Sequence, residues 1–361
     1  MRDLDKFRGC MIGGAAGDAL GYAIEFIHEK QIFSRYGKDG ITQYALRGGV
    51  AQFSDDTQMT LFTAVGLLNE DARAQTSGTQ PDYTQAIKRA YQDWYITQAG
   101  TYPVSNKKTS WLLGVPGLFS RRAPGLTCIS AIEHGADGSI EAPINTSKGC
   151  GGVMRVAPIG LYFAGTDVNI LESDMLGAKA AAITHGHELG YIPAAALVHI
   201  LRAVCEDSEK SLTSAVTESV DAMKQLFPTA KHIGCFTDIM SKAVELANSD
   251  CKTVDAIHQL GEGWVAEEAL AISVYSALKY EDDFDMALRT SVNHNGDSDS
   301  TGSLTGNILG AYMGCEAIPL KYKDELELIG LITEVTDDLF GECDEAAWVS
   351  KYVDVTYEYK C

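Results

Sequence analysis

The residues best placed to do chemistry in this chain are carboxylates. In "FSDDTQMTLF", Ser54, Asp55, Asp56 and Thr57 stand directly ahead of an apolar run at helical spacing; in "GDSDSTGSLTG", Asp297, Asp299, Ser300 and Thr301 stand in the same relation to another. Ser and Asp are favoured helix N-caps, and first-turn acids suit the positive end of a helix dipole, so either stretch alone reads as a plain cap. The pair supports a second reading. If both helix openings face one cleft, four carboxylates converge, and Glu25, at the end of "GDALGYAIE", supplies a fifth. Carboxylates a few ångströms apart repel, and some take up protons unless a cation offsets their charge. The donors on offer are carboxylate and hydroxyl oxygens, with no Cys or His fixed beside them. Such a hard set suits Mg²⁺ or Mn²⁺, and Ca²⁺ less specifically. An EF-hand is excluded. Asp297, Asp299, Thr301 and Gly302 fit its early loop positions, but Ile308 stands where a bidentate Glu is required.

A second constellation is built on glycine. In "SKGCGGVMRVAP", Ser147, Gly149, Gly151 and Gly152 precede an expected helix start at Val153, with Lys148 and Arg155 as local positive charge. Glycines let backbone N–H groups approach a diphosphate, and a helix N-terminus favours an anion there, although alone this reads as an ordinary glycine turn. In "THGHELGY", His185 falls between two helices and His187 reads as a packing residue. Trp264 and Tyr275 in "GEGWVAEEALAISVY" could stack on a base, but their helical spacing places both in the core.

The elements that must hold these groups are helices. "DTQMTLFTAVGLL" puts Met59, Phe62, Val65 and Leu68 on one face. "LGAKAAAIT" and "IPAAALVHILRAV" are alanine-rich and suit close packing; helical periodicity then runs through to residue 280. Residues 70–82 and 133–148 read as loops, and "YVDVTYEY" near the C-terminus alternates like an extended segment. The glycines cluster between Gly13 and Gly21, Gly149 and Gly152, and Gly296 and Gly314, which predicts close backbone approach at chosen places. The expected fold is all-α: a single compact orthogonal multi-helix domain over residues 1–361, with a metal cleft at helix N-termini.

Composition narrows the function. With 361 residues the chain can bury a sizeable core, and a formal charge of −20 argues against a nucleic-acid surface, which needs clustered Lys and Arg. Nine scattered cysteines, never spaced C-x-x-C, fit reduced thiols in a cytoplasmic protein. The N-terminus makes a poor signal peptide, and no uninterrupted apolar stretch approaches the length a membrane helix needs.

"GDALG", "SDDTQMTL", "SKGCGGVMRVAPIG", "THGHELGY" and "GDSDSTGSLTGNILGA", in that order, resemble the motif pattern of the ADP-ribosylglycohydrolases. The motifs run from residue 9 to about 314, leaving 315–361 as a C-terminal extension. The resemblance implies an all-α fold holding two divalent cations, Mg²⁺ or Mn²⁺, that removes ADP-ribose from modified protein side chains. Carried over by motif, the metal ligands are Ser54, Asp55, Asp56, Asp297, Asp299 and Ser300, with Glu25 near or on one metal. The substrate-binding residues are Ser147, Lys148, Gly149, Gly151, Gly152, Met154, Arg155 and His185. Asp56 or Glu25 is the expected general base. "GDSDST" is closer to the arginine-specific members, which makes ADP-ribosyl-arginine the expected substrate. One alternative on the same fold is an immunity-type protein that blocks an ADP-ribosyltransferase toxin by docking through residues 70–82 and the tail after residue 340. Two others are an inactive structural relative and, outside the family, a calcium-regulated scaffold.

Overall fold

In the computed structural model, which describes residues 2–104 and 109–354, the elements are helices, and the β-pairing among the described residues is limited to isolated bridges. The chain opens with α1 (Leu4–Tyr22), α2 (Glu29–Tyr36), α3 (Asp55–Ser77) and α4 (Tyr83–Ala99), then passes through a loop-rich stretch holding α5 (Leu126–Glu133). Next come α6 (Ala157–Phe163), α7 (Ile170–Ala182), α8 (Glu188–Glu206), α9 (Leu212–Leu226) and α10 (Ile233–Ala247). The last group is α11 (Thr253–Leu260), α12 (Ala266–Lys279), α13 (Phe284–Val292), α14 (Ser298–Met313), α15 (Ile329–Phe340) and the short α16 (Glu345–Trp348).

The packing that positions the site is between α1 and α14. Gly9, Gly13, Gly17 and Gly21 lie along one face of α1, and Gly302, Gly306 and Gly310 along one face of α14. A Cβ built on Gly13 would sit 2.4 Å from the carbonyl oxygen of Gly306, and one built on Gly306 only 1.9 Å from that of Gly13. Gly9 meets Gly310, Gly17 meets Gly302 and Gly21 meets Ser298 in the same way. The helices are therefore antiparallel and in backbone contact. Asn307 reaches across Gly14 to donate to the Cys10 carbonyl at 2.9 Å. A helical glycine costs about 1 kcal/mol relative to alanine, and the close van der Waals and Cα–H···O contacts it permits offset that cost. The consequence for the site is positional: the C-terminal end of α1 is fixed against the N-terminal end of α14.

Around this pair, α3 packs on α1, α4, α6 and α15, and α12 on α8, α10 and α14. One buried apolar cluster extends from Phe7 to Tyr352. Met59, Phe62, Val65 and Leu68 are all inside it, as their spacing predicts.

Several expectations are corrected. Residues 70–77 are the last turns of α3, not a loop, so a docking segment there would be helical. The extended reading of "YVDVTYEY" fails for residues 352–354, which are helical; its remaining residues lie outside those described. The stretch after 314 is not an appendage. Glu327 accepts from Arg122 at 3.0 Å, and Ala51 N–H donates to the Glu325 carbonyl at 2.7 Å, tying this stretch to the entry of α3. α8 is long and apolar enough to cross a membrane by length and composition, but 94% of its apolar window is buried inside the protein, so it serves as a core helix. The eight cysteines among the described residues carry no disulfide.

Candidate active site

Both acidic openings reach one cleft of about 600 Å³, lined by Glu25, Asp55, Asp56, Asp297, Asp299 and Ser300 on one side and by Gly149, Gly151, Met154 and His185 on another. The sequence alone does not explain why Asp55 and Asp56 are free to face it. Asp18, in α1, supplies the reason. Its carboxylate accepts from the Ser54 N–H at 2.8 Å, the Thr57 N–H at 3.0 Å and the Thr57 hydroxyl at 2.5 Å. The Ser54 hydroxyl accepts from the Asp56 N–H at 3.2 Å. With the first-turn N–H groups met by Asp18 and Ser54, neither aspartate is consumed in capping its own helix.

α14 opens differently. Asp297 is its N-cap and accepts from the Ser300 N–H at 3.3 Å, while the Cys150 thiol donates to its other oxygen at 2.7 Å. The preceding turn is held by buried Asn293 and His294. Asn293 pairs with the backbone of Ile41, and His294 contacts the Ser291 carbonyl at 2.8 Å and the Thr301 hydroxyl at 3.0 Å. Gly296 adopts φ +118°, and a Cβ there would meet the Glu262 carbonyl at 1.9 Å, so only glycine lets the chain turn into the cleft.

Glu25, Asp297 and Asp299 each place one oxygen within 4.8 Å of the others. Burial pushes Glu25 up to about 11 and Asp18 up to about 7, and the largest reinforcing charge for both is Asp299. Asp55 and Asp56 are driven well above the usual carboxylate range by burial and then by Asp299, while Asp299 itself is raised by burial and then by Asp297. Asp299 is thus the electrostatic centre of the group. Two buried oxygens, Glu25 Oε2 and Asp56 Oδ2, have no hydrogen-bond partner. An orphaned anionic oxygen is costly unless a cation or a ligand meets it, so the donor set fits hard divalent cations. Of the expected ligands, Ser54 does not line the cleft: it is fully buried, and its hydroxyl hydrogen-bonds to Asp299 from behind.

The glycine turn is a short 3-10 turn, Cys150–Gly152, and the helix after it opens at Ala157 instead of Val153, so the α6 dipole does not begin at the turn. Two of its glycines lie against His185. A Cβ on Gly149 would come 3.3 Å from His185 Nε2, and one on Gly151 would come 2.7 Å from Cys128 Sγ and 3.0 Å from His185 Cε1. Ser147 accepts from the Gly149 N–H at 3.3 Å. Gly152 packs against Gly190 and Ala181 away from the cleft. Lys148 is ion-paired with Glu267.

Arg155 is a correction. Expected at the substrate, it is fully buried, with its guanidinium 4.0 Å from the centre of the Tyr91 ring, and it donates to the Ala180 carbonyl and to the Thr184 hydroxyl at 2.7 Å. Its effect reaches the cleft through a relay. Thr184, accepting from Arg155, also contacts His185 Nδ1 at 2.8 Å and donates to the Ala181 carbonyl at 3.5 Å. Burial first, and the Arg155 charge second, hold His185 down to about 3. The ring is therefore neutral and lies against the glycine turn.

Trp264 is also corrected. It is 40% exposed on the cleft rim, stacked on Phe26 with ring centroids 6.0 Å apart and planes at 19°, whereas Tyr275 is core. Sequence reasoning gave no role to Asp18, Phe26, Arg121 and Cys150. Among the described residues, Arg121 is the only Lys or Arg lining the cleft. The missed signal at Asp18 was a carboxylate inside an otherwise apolar helix.

A family model described as ADP-ribosylglycohydrolase matches residues 1–348. An ADP-ribosylhydrolase ARH3 of Mus musculus is 24% identical over 352 residues, covering 90% of this chain and 88% of that protein. An uncharacterized protein of Archaeoglobus fulgidus is 26% identical over 340 residues, covering 93% and 96%. A solved structure described as an ADP-ribosylglycohydrolase-related protein complex superposes with a TM-score of 0.63 at 20% identity, over 93% of this chain and 97% of that one, which establishes a shared fold.

Proposed function

The chain belongs to the ADP-ribosylglycohydrolase family, and we propose that it hydrolyses the N-glycosidic bond between ADP-ribose and an arginine side chain. The family supports ADP-ribose hydrolase activity; the arginine linkage is our own reading. The observation that carries it is the convergence of Glu25 and the two acidic helix openings on one cleft that also holds the glycine turn and a neutral His185.

Asp55, Asp56, Asp297, Asp299 and Ser300 would hold two divalent cations, Mg²⁺ or Mn²⁺, with Ser54 bracing Asp299. When bound, these would supply Lewis acidity to the ribose hydroxyls and the attacking water. The diphosphate fits the cleft beside the glycine turn, against the Gly151 N–H, with His185 alongside and Arg121 as counter-charge. Glu25 is the general base in this reading. Glu25 lines the cleft and would ionise there once bound cations offset the neighbouring carboxylates; it then takes a proton from water as the water oxygen bonds to the anomeric carbon. The carbon–nitrogen bond breaks, the guanidinium leaves as neutral guanidine, and the proton held by Glu25 passes to it. An acidic cleft suits a cationic acceptor: the charge of −20 and the carboxylates at the site both draw arginine-rich segments inward.

The test is to incubate the protein with Mg²⁺ or Mn²⁺ and ADP-ribose linked to arginine, serine or DNA, and to follow free ADP-ribose. Release from the arginine linkage, abolished by chelator, is expected. No release from any linkage with either cation overturns the reading.

A further inference from the structure

Beside the main cleft lies a second hollow of about 190 Å³, lined by Glu25, Phe26, His28, Glu262, Trp264 and Asn295. Glu25, Phe26 and Trp264 line both spaces, so the carboxylate and the stacked aromatic pair form the partition between them. Phe26 is 73% exposed and Trp264 40%, an unusual cost for two large apolar side chains with a core close by. Trp264 is held at this place by backbone bonds to the glycine turn: Cys150 N–H donates to its carbonyl at 3.2 Å, and Ala266 N–H to that of Lys148 at 2.9 Å. Glu25 is 93% buried, being 7% exposed, and its Oε2 is without a partner at the partition.

We propose that this hollow is the acceptor subsite, receiving the side chain that ADP-ribose is removed from, and that Phe26 and Trp264 select a planar cation there. The inference rests on the hydrolase reading above. A bond broken beside Glu25 puts the ribose in the large cleft and the leaving group across the partition. The small hollow has room for about one long side chain. Guanidinium groups stack on aromatic faces and pair with carboxylates, here Glu25 and Glu262. A serine acceptor is small and neutral and gains nothing from the aromatic pair.

The experiment compares one peptide carrying ADP-ribose on arginine with the same peptide carrying it on serine, in wild type, Phe26→Ala, Trp264→Ala and Trp264→Phe. Phe26 is so exposed that its truncation leaves folding intact. In both alanine variants the preference for arginine, as a ratio of kcat/KM values, falls about fivefold to tenfold, mainly through KM. Trp264→Phe, which restores a planar ring, recovers most of it. A wild type that hydrolyses the arginine peptide but whose preference is unchanged in Phe26→Ala and Trp264→Ala overturns the acceptor subsite alone. A wild type that prefers serine also overturns it. A wild type that releases ADP-ribose from neither peptide overturns this inference together with the hydrolase reading.

Discussion

α3 carries buried acids at both ends, and the two ends are treated in opposite ways. Near its C-terminal end, Glu70 is 1% exposed and fully partnered: it accepts from Arg73 at 2.9 and 2.5 Å, from Arg89 at 2.9 Å and from the Asp82 N–H at 2.6 Å. Burial pushes this carboxyl up, but Arg73, the Asp82 N–H and Arg89 together bring it below its ordinary value. At the N-terminal end, Asp55 and Asp56 are as deeply buried, have no arginine, and are pushed far up by burial and Asp299. One end is a structural ion pair that completes itself. The other is charge stored without compensation, which is what a cation or a cationic substrate requires. The difference separates self-completed acids from uncompensated ones along a single helix.

The sharpest way to break this comparison is Asp299→Asn. It removes the centre of the uncompensated group and should lower kcat/KM by about a thousandfold or more, with metal affinity lost in calorimetry, while the fold is kept. Near-normal activity would show that the cluster is not the catalytic one. Gly306→Val follows in size. Its side chain must displace the Gly13 backbone, so unfolding free energy should fall by about 3 kcal/mol, read from urea denaturation, and metal binding should weaken as α14 shifts from α1.

A pair of pH profiles sharpens the contrast. Asp299 has a native pKa above its unfolded value, so in chelator the native state holds the extra proton and stability falls as pH rises from about 4 upward. Asp299→Asn should therefore stabilise the metal-free protein, and by more at pH 8 than at pH 5. Glu70 has a native pKa below its unfolded value, so its stabilisation is complete above about pH 4.5 and is lost as pH falls through the native value. Glu70→Gln should cost stability at pH 7, and the cost should shrink on acidification. Slopes of the same sign would erase the distinction. The smallest effect is Lys148→Ala: already paired with Glu267 and absent from the cleft lining, it should change kcat/KM by less than about twofold.

What could be read from sequence followed from how local each interaction is. The acidic openings were legible because a cap is written within four residues, and the all-α fold because periodicity is local too. Asp18 was not legible, since its partners lie 36 and 39 positions away. Trp264 was read as core on helical spacing, but α12 begins at Ala266, which leaves Trp264 ahead of the helix and on the rim. Arg155 was assigned to the ligand as local positive charge beside the glycine turn; the Tyr91 ring and the Thr184 hydroxyl, which compensate it, lie in α4 and in the turn after α7.

The backbone contact between α1 and α14 also sets when the protein becomes complete during its synthesis. Asn307 reaches back 297 positions to Cys10, so α1 leaves the ribosome well before its partner α14. At roughly 5–20 residues per second the wait is on the order of 15–60 s, during which the glycine face of α1 has no mate. Until then no cation site exists either. Nascent or truncated chains that stop short of residue 298 lack Asp299 and half of the seam, and they are the forms this fold leaves most dependent on chaperones and most open to proteolysis.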